Sequence, residues 1–325
     1  MDYDMYFENL TAFYEYIESY GDLYVSHSNA AYVVVLIIYF VSFIIGFPSN
    51  CVIIWFMGFK WDKTVMTLLF MNLAIADLMF VLFTPLGITY MLMGYHWPFG
   101  SFICKLSSFV FQVGLFSSIF FITFISMDRY CRIFYPSFCH RVRTFKIVKL
   151  VTILIWLSSV ILAIPFSYSK STVEVDGRID CYDNFHQDMI TSFQIRNGIM
   201  CLSIIFGYIF PAVIMAICYF FIILNSSRYK WSMLVRVLAF FILWTPYNIL
   251  ALMLILGQHY ESQLTFDLFA VIVAMVCLNG CVNPIIYSIM NILVSVRKII
   301  ISEDNVRLIV NEENDGEGME NQVFE

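Results

Sequence analysis

The sequence predicts an all-α membrane protein: a seven-transmembrane helix bundle with a short cytoplasmic eighth helix. Three observations carry the prediction. Of 325 residues, 61% are hydrophobic and 13% charged, against about 25% charged in a soluble domain, and a soluble core cannot hide that much apolar surface. The apolar residues gather in seven runs, each long enough to cross a hydrocarbon layer of about 30 Å as a helix, and they lack the sustained alternation of barrel strands. The Lys and Arg residues between the runs fall mostly on one side, which sets the orientation.

Residues 1–30 read as an acidic extracellular tail. Asp2, Asp4, Glu8, Glu15, Glu18 and Asp22 stand there with no Lys or Arg, so the basic start of a cleaved signal peptide is missing, and the first run is expected to export the tail. Asn9-Leu10-Thr11 is a glycosylation sequon on that side, which makes Asn9 a modification candidate. The bundle, 31–290, takes in the runs 31–58, 65–93, 102–128, 147–167, 198–224, 233–257 and 265–290. The fourth is the shortest, and its AIPF ending suits an interface. With the tail outside, the inner side holds Lys60, Lys63, Arg129, Arg132, Arg141, Arg143, Lys146, Lys149, Arg228, Lys230, Arg236, Arg297, Lys298 and Arg307. The outer side holds Lys105, Lys170, Arg178 and Arg196. After Tyr287, SIMNILVSVRKIII gives 291–302 the character of an amphipathic helix 8. Residues 303–325, with Glu312, Glu313, Asp315, Glu317 and Glu320, read as a disordered acidic cytoplasmic tail.

Cys104, at the start of the third run, and Cys181, in the loop before the fifth, face outward. A disulfide between them would tie that loop over the bundle; two unpaired thiols are the alternative. No Cys/His spacing forms a metal site. All five histidines, His27, His96, His140, His186 and His259, lie in tails or loops, and no run carries the chain of acids of a proton relay or an internal repeat. A transporter, channel or membrane enzyme is therefore disfavoured, and neither a catalytic residue nor a nucleic-acid partner is expected.

Residues 126–136, SMDRYCRIFYP, put Asp128 beside Arg129 where the third run meets the inner side. Neighbours on a helix point about 100° apart, so the two can couple while Arg129 turns into the bundle; an arginine snorkelling to headgroups is the plainer reading. Other runs hold polar or Pro residues that lipid penalises. Asn50 follows GFPS, Asp77 ends NLAIAD, Trp156 sits in the fourth run, and Pro211 and Tyr219 sit in the fifth. FFILWTPY places Phe240, Trp244 and Pro246, and NGCVNPIIY places Asn279, Asn283, Pro284 and Tyr287. Seven spans with this series resemble the rhodopsin-like G-protein-coupled receptors across residues 31–300.

The resemblance implies that Asp77, Ser118, Asn279 and Asn283 share a sodium and water site, an allosteric ion and no other cofactor; a protonated Asp77 that only packs is the alternative. Pro211, Pro246 and Pro284 each remove a backbone hydrogen bond and allow a bend. Trp244 is implied beneath the ligand. Together with Asp128, Arg129, Tyr219, Phe240, Pro246, Asn283, Pro284 and Tyr287 it would make an activation switch that rearranges as the inner end of the sixth span swings out. Plain core packing of these aromatics is the alternative.

VIIWFMGFKWDKTVMTLLFMNLAIAD (52–77), HWPFG (96–100) followed by ICK, SSIFFITFISMDRY and CHRVRT (139–144) look like the formyl-peptide and chemerin receptor branch, with GFKW and IDCYDNF the most discriminating pieces. The expectation is a plasma-membrane receptor, N-terminus extracellular, for a peptide or small basic protein such as chemerin or another chemoattractant, coupled to an inhibitory-class G protein and to arrestin. The outer surface points to a basic ligand independently. Glu174, Asp176, Asp180, Asp183, Asp188, Glu261 and Asp267 join the tail acids, and an acidic mouth speeds encounter with cations; solubility alone is the plainer reading. Tyr3, Tyr6, Tyr14, Tyr16, Tyr20 and Tyr24 are sulfation candidates. No acid stands in the outer half of the third run beside Phe111 and Gln112, which argues against an amine ligand. The pocket is expected to be lined by Tyr90, Phe111, Gln112, Leu115, Ser203, Trp244, Tyr247, Asn248 and Phe269 and roofed by Arg178 to Phe185; Arg178 or Arg196 could meet a peptide carboxylate, and pairing of each with the surrounding acids is the equal alternative.

Departures from the pattern keep a second reading open. Ser203 stands where the branch tends to carry a basic residue, Gly114 where asparagine is frequent, Leu243 for cysteine and Val294 for phenylalanine. The third inner loop is shortened around NSSRYKW, and Ser302 is the only hydroxyl residue from Ser302 to Glu325. The second reading is a non-signalling scavenger or decoy of the same ligand class with a reduced G-protein-facing surface.

Overall fold

The computed structural model describes residues 28–175, 177–225, 230–256 and 263–285. Six of its helices are long and apolar enough to cross a membrane, and there are seven spans if one bent pair counts as a single span. Spans one to six are Asn29–Lys60, Val65–Leu92, Gly100–Phe134, Phe145–Ser169, Ile190–Asn225 and Val237–Ile255. Span seven is the pair Asp267–Val276 and Asn279–Ile285, bent by 43°. The expected sites at Asn9 and Tyr287, helix 8 and both tails lie outside the described residues.

Local chemistry starts the helices where small polar residues stand. The Ser28 side chain accepts from the Ala31 N–H, Thr64 and Thr67 form a capping box, and Thr144 accepts from Ile147. Asp188 accepts from the Thr191 N–H. Each cap satisfies backbone donors that the first turn leaves without partners.

Two spans differ in extent from the hydropathy runs. Span three continues past Asp128 to Phe134. It stops where Pro136 forces Tyr135 out of the helical region, at φ −130° and ψ 56°. Asp128 and Arg129 therefore lie inside a helix rather than at its end. Span five starts before residue 198, since Asp188 caps a polar first turn that hydropathy does not register.

The loop read as a roof is a β-hairpin. Strand β1, Lys170–Val175, pairs antiparallel with β2, Arg178–Asp183, in the register Lys170 to Asp183 and Val175 to Arg178. Gly177 takes φ +76°, a conformation natural for glycine at a tight turn.

Phe80, Phe116, Phe121, Leu69, Ile119, Met215 and Ile222 are fully buried at the centre of the bundle. Ile153, Leu157, Ile161 and Ile164 of span four stay exposed, as a lipid-facing surface requires. Two glycines set helix spacing. A Cβ on Gly114 would lie 2.7 Å from the Phe80 backbone nitrogen and 2.8 Å from the Ala76 carbonyl oxygen, so spans two and three touch backbone to backbone there. A Cβ on Gly280 would lie 2.4 Å from Val81.

Candidate functional site

Three polar assemblies occupy the bundle: one at its middle, one beneath the hairpin and one at the opposite end. At the middle, Asp77 is completely buried. Ser118 donates to Asp77 Oδ1 at 2.6 Å, Asn283 Nδ2 donates to Asp77 Oδ2 at 2.9 Å, and Asn279 Nδ2 donates to Ser118 at 3.2 Å. All four residues named from sequence thus meet in one network across spans two, three and seven. The partners of Asp77 are neutral, so among the described residues its carboxylate has no counter-charge. Gly114 adds no oxygen, and the helix contact described above leaves no room for a side chain there.

Asn50 belongs to the same region. Pro284 has no N–H, so the Gly280 carbonyl four residues earlier lacks its helical donor. The Asn50 amide donates to that carbonyl at 2.7 Å and to Gly46 at 2.9 Å, fastening span one to span seven.

Beneath the hairpin, Cys104 and Cys181 form a disulfide with a Cα separation of 5.9 Å. The Trp97 N–H donates to Ile179 at 2.7 Å, and the Ile179 N–H donates to His96 Nδ1 at 3.2 Å. β2 is therefore bound to the loop between spans two and three and to span three itself. The expected pocket residues are distributed around this end in different degrees of burial. Phe111 stacks on Phe80 at 4.4 Å, so its ring is engaged with span two. Leu115 and Asn248 are buried, and Asn248 Nδ2 donates to the Trp244 carbonyl at 2.8 Å. Gln112, Phe185, Ser203, Tyr247 and Phe269 are half-buried, and Arg178 is exposed. Tyr90 donates to Asp180 Oδ1 at 2.5 Å.

Aromatic contacts lead inward. Tyr247 meets Trp244 edge-on at 6.5 Å, Trp244 meets Phe240 at 6.3 Å, and Phe240 stacks on Tyr208 at 5.9 Å. The Tyr208 and Thr245 hydroxyls lie 2.6 Å apart. Tyr208 was missed from sequence, since one more tyrosine in an apolar helix carries no local signal. Pro246, one residue after Thr245, lies inside the Lys230–Ile255 helix.

At the opposite end, Asp128 is paired with Arg143 at 2.7 Å and Arg132 at 3.1 Å. Arg129, its sequence neighbour, holds its guanidinium 6.0 Å from the Phe70 ring. Asp128 thus pairs with two arginines besides the neighbour considered from sequence. Arg132 was findable, one helical turn onward; Arg143 needed the fold. Ser126 donates to the Ile122 carbonyl at 2.7 Å, and the Tyr219 hydroxyl lies 3.1 Å from Ser126. With the Ser126 proton committed, Tyr219 is the donor of that pair. Trp156 donates to Asn72 at 2.9 Å, another pairing that sequence reading missed.

Comparison with known proteins fits these assemblies. Residues 49–287 match the family model described as 7 transmembrane receptor (rhodopsin family). The G-protein coupled receptor homolog FPV021 of Fowlpox virus (strain NVSL) is 38% identical over 305 residues, 92% of this chain and 95% of that protein. Chemerin-like receptor 2 of Rattus norvegicus is 42% identical over 263 residues, 78% of this chain and 74% of that protein. The C3a anaphylatoxin chemotactic receptor of Danio rerio is 28% identical over 296 residues, 88% and 81% of the two chains. This is a family of receptors and not of enzymes, and the chain belongs to it: a multi-pass membrane protein of the rhodopsin family of seven-transmembrane receptors.

Proposed function

We propose that the chain is a signalling receptor of the plasma membrane, N-terminus outside, for a peptide or small basic protein of the chemerin or chemoattractant type. Its inner face couples to an inhibitory-class G protein and to arrestin. The relatives named for chemerin and C3a chemotaxis support the ligand class. The observation that carries signalling over a scavenger role is the ordered polar assembly at the Asp128 end, which a binder without a transducer has no need to keep.

In this reading the ligand enters beneath the hairpin among Tyr90, Phe111, Gln112, Leu115, Ser203, Tyr247, Asn248 and Phe269, with Arg178 and Phe185 at the rim. Tyr247 passes a displacement to Trp244 and Phe240, and span six hinges at Pro246. Tyr219 then exchanges its bond to Ser126 for a position near Arg129, with Asn283 and Pro284 moving in the same step. Asp77, Ser118, Asn279 and Asn283 fit a sodium ion, because a fully buried carboxylate with neutral partners only gains from a cation. Sodium would supply that charge and favour the resting state.

The test is binding of labelled chemerin to intact cells, paired with nucleotide exchange in their membranes. Saturable binding and stimulated exchange are expected, and Arg129→Ala should keep the first and remove at least about 90% of the second. Chemerin binding without any exchange would establish the scavenger reading; normal exchange in Arg129→Ala would refute the switch.

A further inference from the structure

We propose that Asp180, set by Tyr90, is an anchor for a cationic group of the ligand, the guanidinium or ammonium of a basic peptide or protein. The inference rests on the proposed function, which puts the hairpin end outside. It adds a site within the mouth that the general acidity of the surface does not specify.

Asp180 differs from Asp183, Asp188 and Asp267 in what holds it, and from Glu174, which is exposed, in being half-buried. Asp183 is paired with Lys170 at 3.0 Å and accepts from Ser169 at 3.1 Å. Asp188 caps span five, and Asp267 accepts from the Ser28 N–H at 3.0 Å. Asp180 faces a neutral phenol, the Tyr90 hydroxyl at 2.5 Å. Arg178 shares the Asp180 face of β2, yet it is exposed and forms no ion pair with Asp180. Among the described residues no basic side chain forms an ion pair with Asp180.

Its position is fixed by its neighbours. Ile179 is bound through both backbone groups to His96 and Trp97, and Cys181 is bonded to Cys104. Tyr90 is held in turn by edge contacts with Tyr95 at 5.5 Å and Trp97 at 6.1 Å. A half-buried carboxylate on so constrained a segment loses little entropy on pairing, which is the condition under which an interfacial ion pair strengthens binding. A carboxylate offers about four acceptor sites, and the phenol occupies one. Rings beside the acid add attraction for a cation that lies across them.

The test uses the full chain in lipid nanodiscs and labelled tri-arginine amide as the probe, with tri-glycine amide as reference. Asp180→Asn keeps an oxygen for the Tyr90 phenol and removes the charge. Asp183→Asn changes the net charge equally at an acid that already has a lysine. The anchor predicts that Asp180→Asn weakens tri-arginine binding about tenfold and Asp183→Asn no more than about twofold. Equal losses in the two variants would mean a diffuse field and overturn the proposal, as would no loss in Asp180→Asn or no wild-type preference for tri-arginine over tri-glycine. Chemerin is measured on the same preparations. If it fails on wild type while the tri-arginine difference holds, the ligand assignment falls and the anchor stands. If it binds wild type and Asp180→Asn alike, the anchor falls and the ligand assignment stands.

Discussion

Asp128 divides its carboxylate between two arginines that are not equivalent. The acid side chain is 5% exposed, Arg143 24% and Arg132 40%. Solvent screens the more exposed partner, so the Arg132 pair is worth little. Loss of Arg143 leaves a nearly buried acid short of its main counter-charge. Arg143 also ties span three to the segment just before span four. If this pair holds the resting state, Arg143→Gln should raise basal nucleotide exchange about fivefold, the equivalent of about 1 kcal/mol, and Arg132→Gln should change it less than about twofold. Equal changes, or no rise in Arg143→Gln, would show that the pair serves packing alone. Tyr219 is held at the same end: Ser126, whose proton is engaged by Ile122, accepts from the phenol at 3.1 Å.

Span seven shows how an element is bent and then repaired. The 43° break falls at Cys277 and Leu278, where the Cys277, Leu278 and Cys281 N–H groups bond three residues back, to Ala274, Met275 and Leu278. Such tightened turns replace the helical pattern and change the axis direction. The bend thus lies upstream of Pro284, the residue from which a bend was expected. The carbonyl that Pro284 leaves open at Gly280 is closed from span one by Asn50. Asn50→Ala should therefore lower stability by about 1 kcal/mol, seen as a melting temperature lower by about 2 °C in nanodiscs. Ser42→Ala serves as the comparison, because Ser42 bonds within its own helix to Ile38 at 2.8 Å, and it should leave the melting point unchanged. Equal shifts for the two would mean that Asn50 acts only within span one.

On the scale of the whole molecule, the parts legible in the sequence are those with a local cause. Hydropathy located the spans, and the partners of Asp77 followed from the family resemblance that the polar residues within the spans carry. Hydropathy misplaced helix ends wherever a cap or a proline, and not polarity, decides them, as at Asp188 and Pro136. It did not give the hairpin, although STVEV and RIDCY flank an Asp-Gly turn signal, because two short strands in a polar loop leave no mark on hydropathy. Pairings between distant segments, Arg143 with Asp128 and Tyr90 with Asp180, have no sequence signature at all. The Asp77 network joins spans two, three and seven, and in the proposed function it lies between the ligand end and the transducer end, so that an ion bound there would be linked to both. Linkage is reciprocal: if sodium favours the resting state, it must weaken an agonist by the same factor by which the agonist weakens sodium. Replacing potassium by sodium at constant ionic strength should accelerate chemerin dissociation from the wild type by about fivefold, within the usual range of coupling energies. Asp77→Asn removes the charge and keeps the shape, and its dissociation rate should be the same in the two salts. A sodium effect that survives in Asp77→Asn would place the ion elsewhere, and its absence in the wild type would leave Asp77 a packing acid whose network only fastens spans two, three and seven.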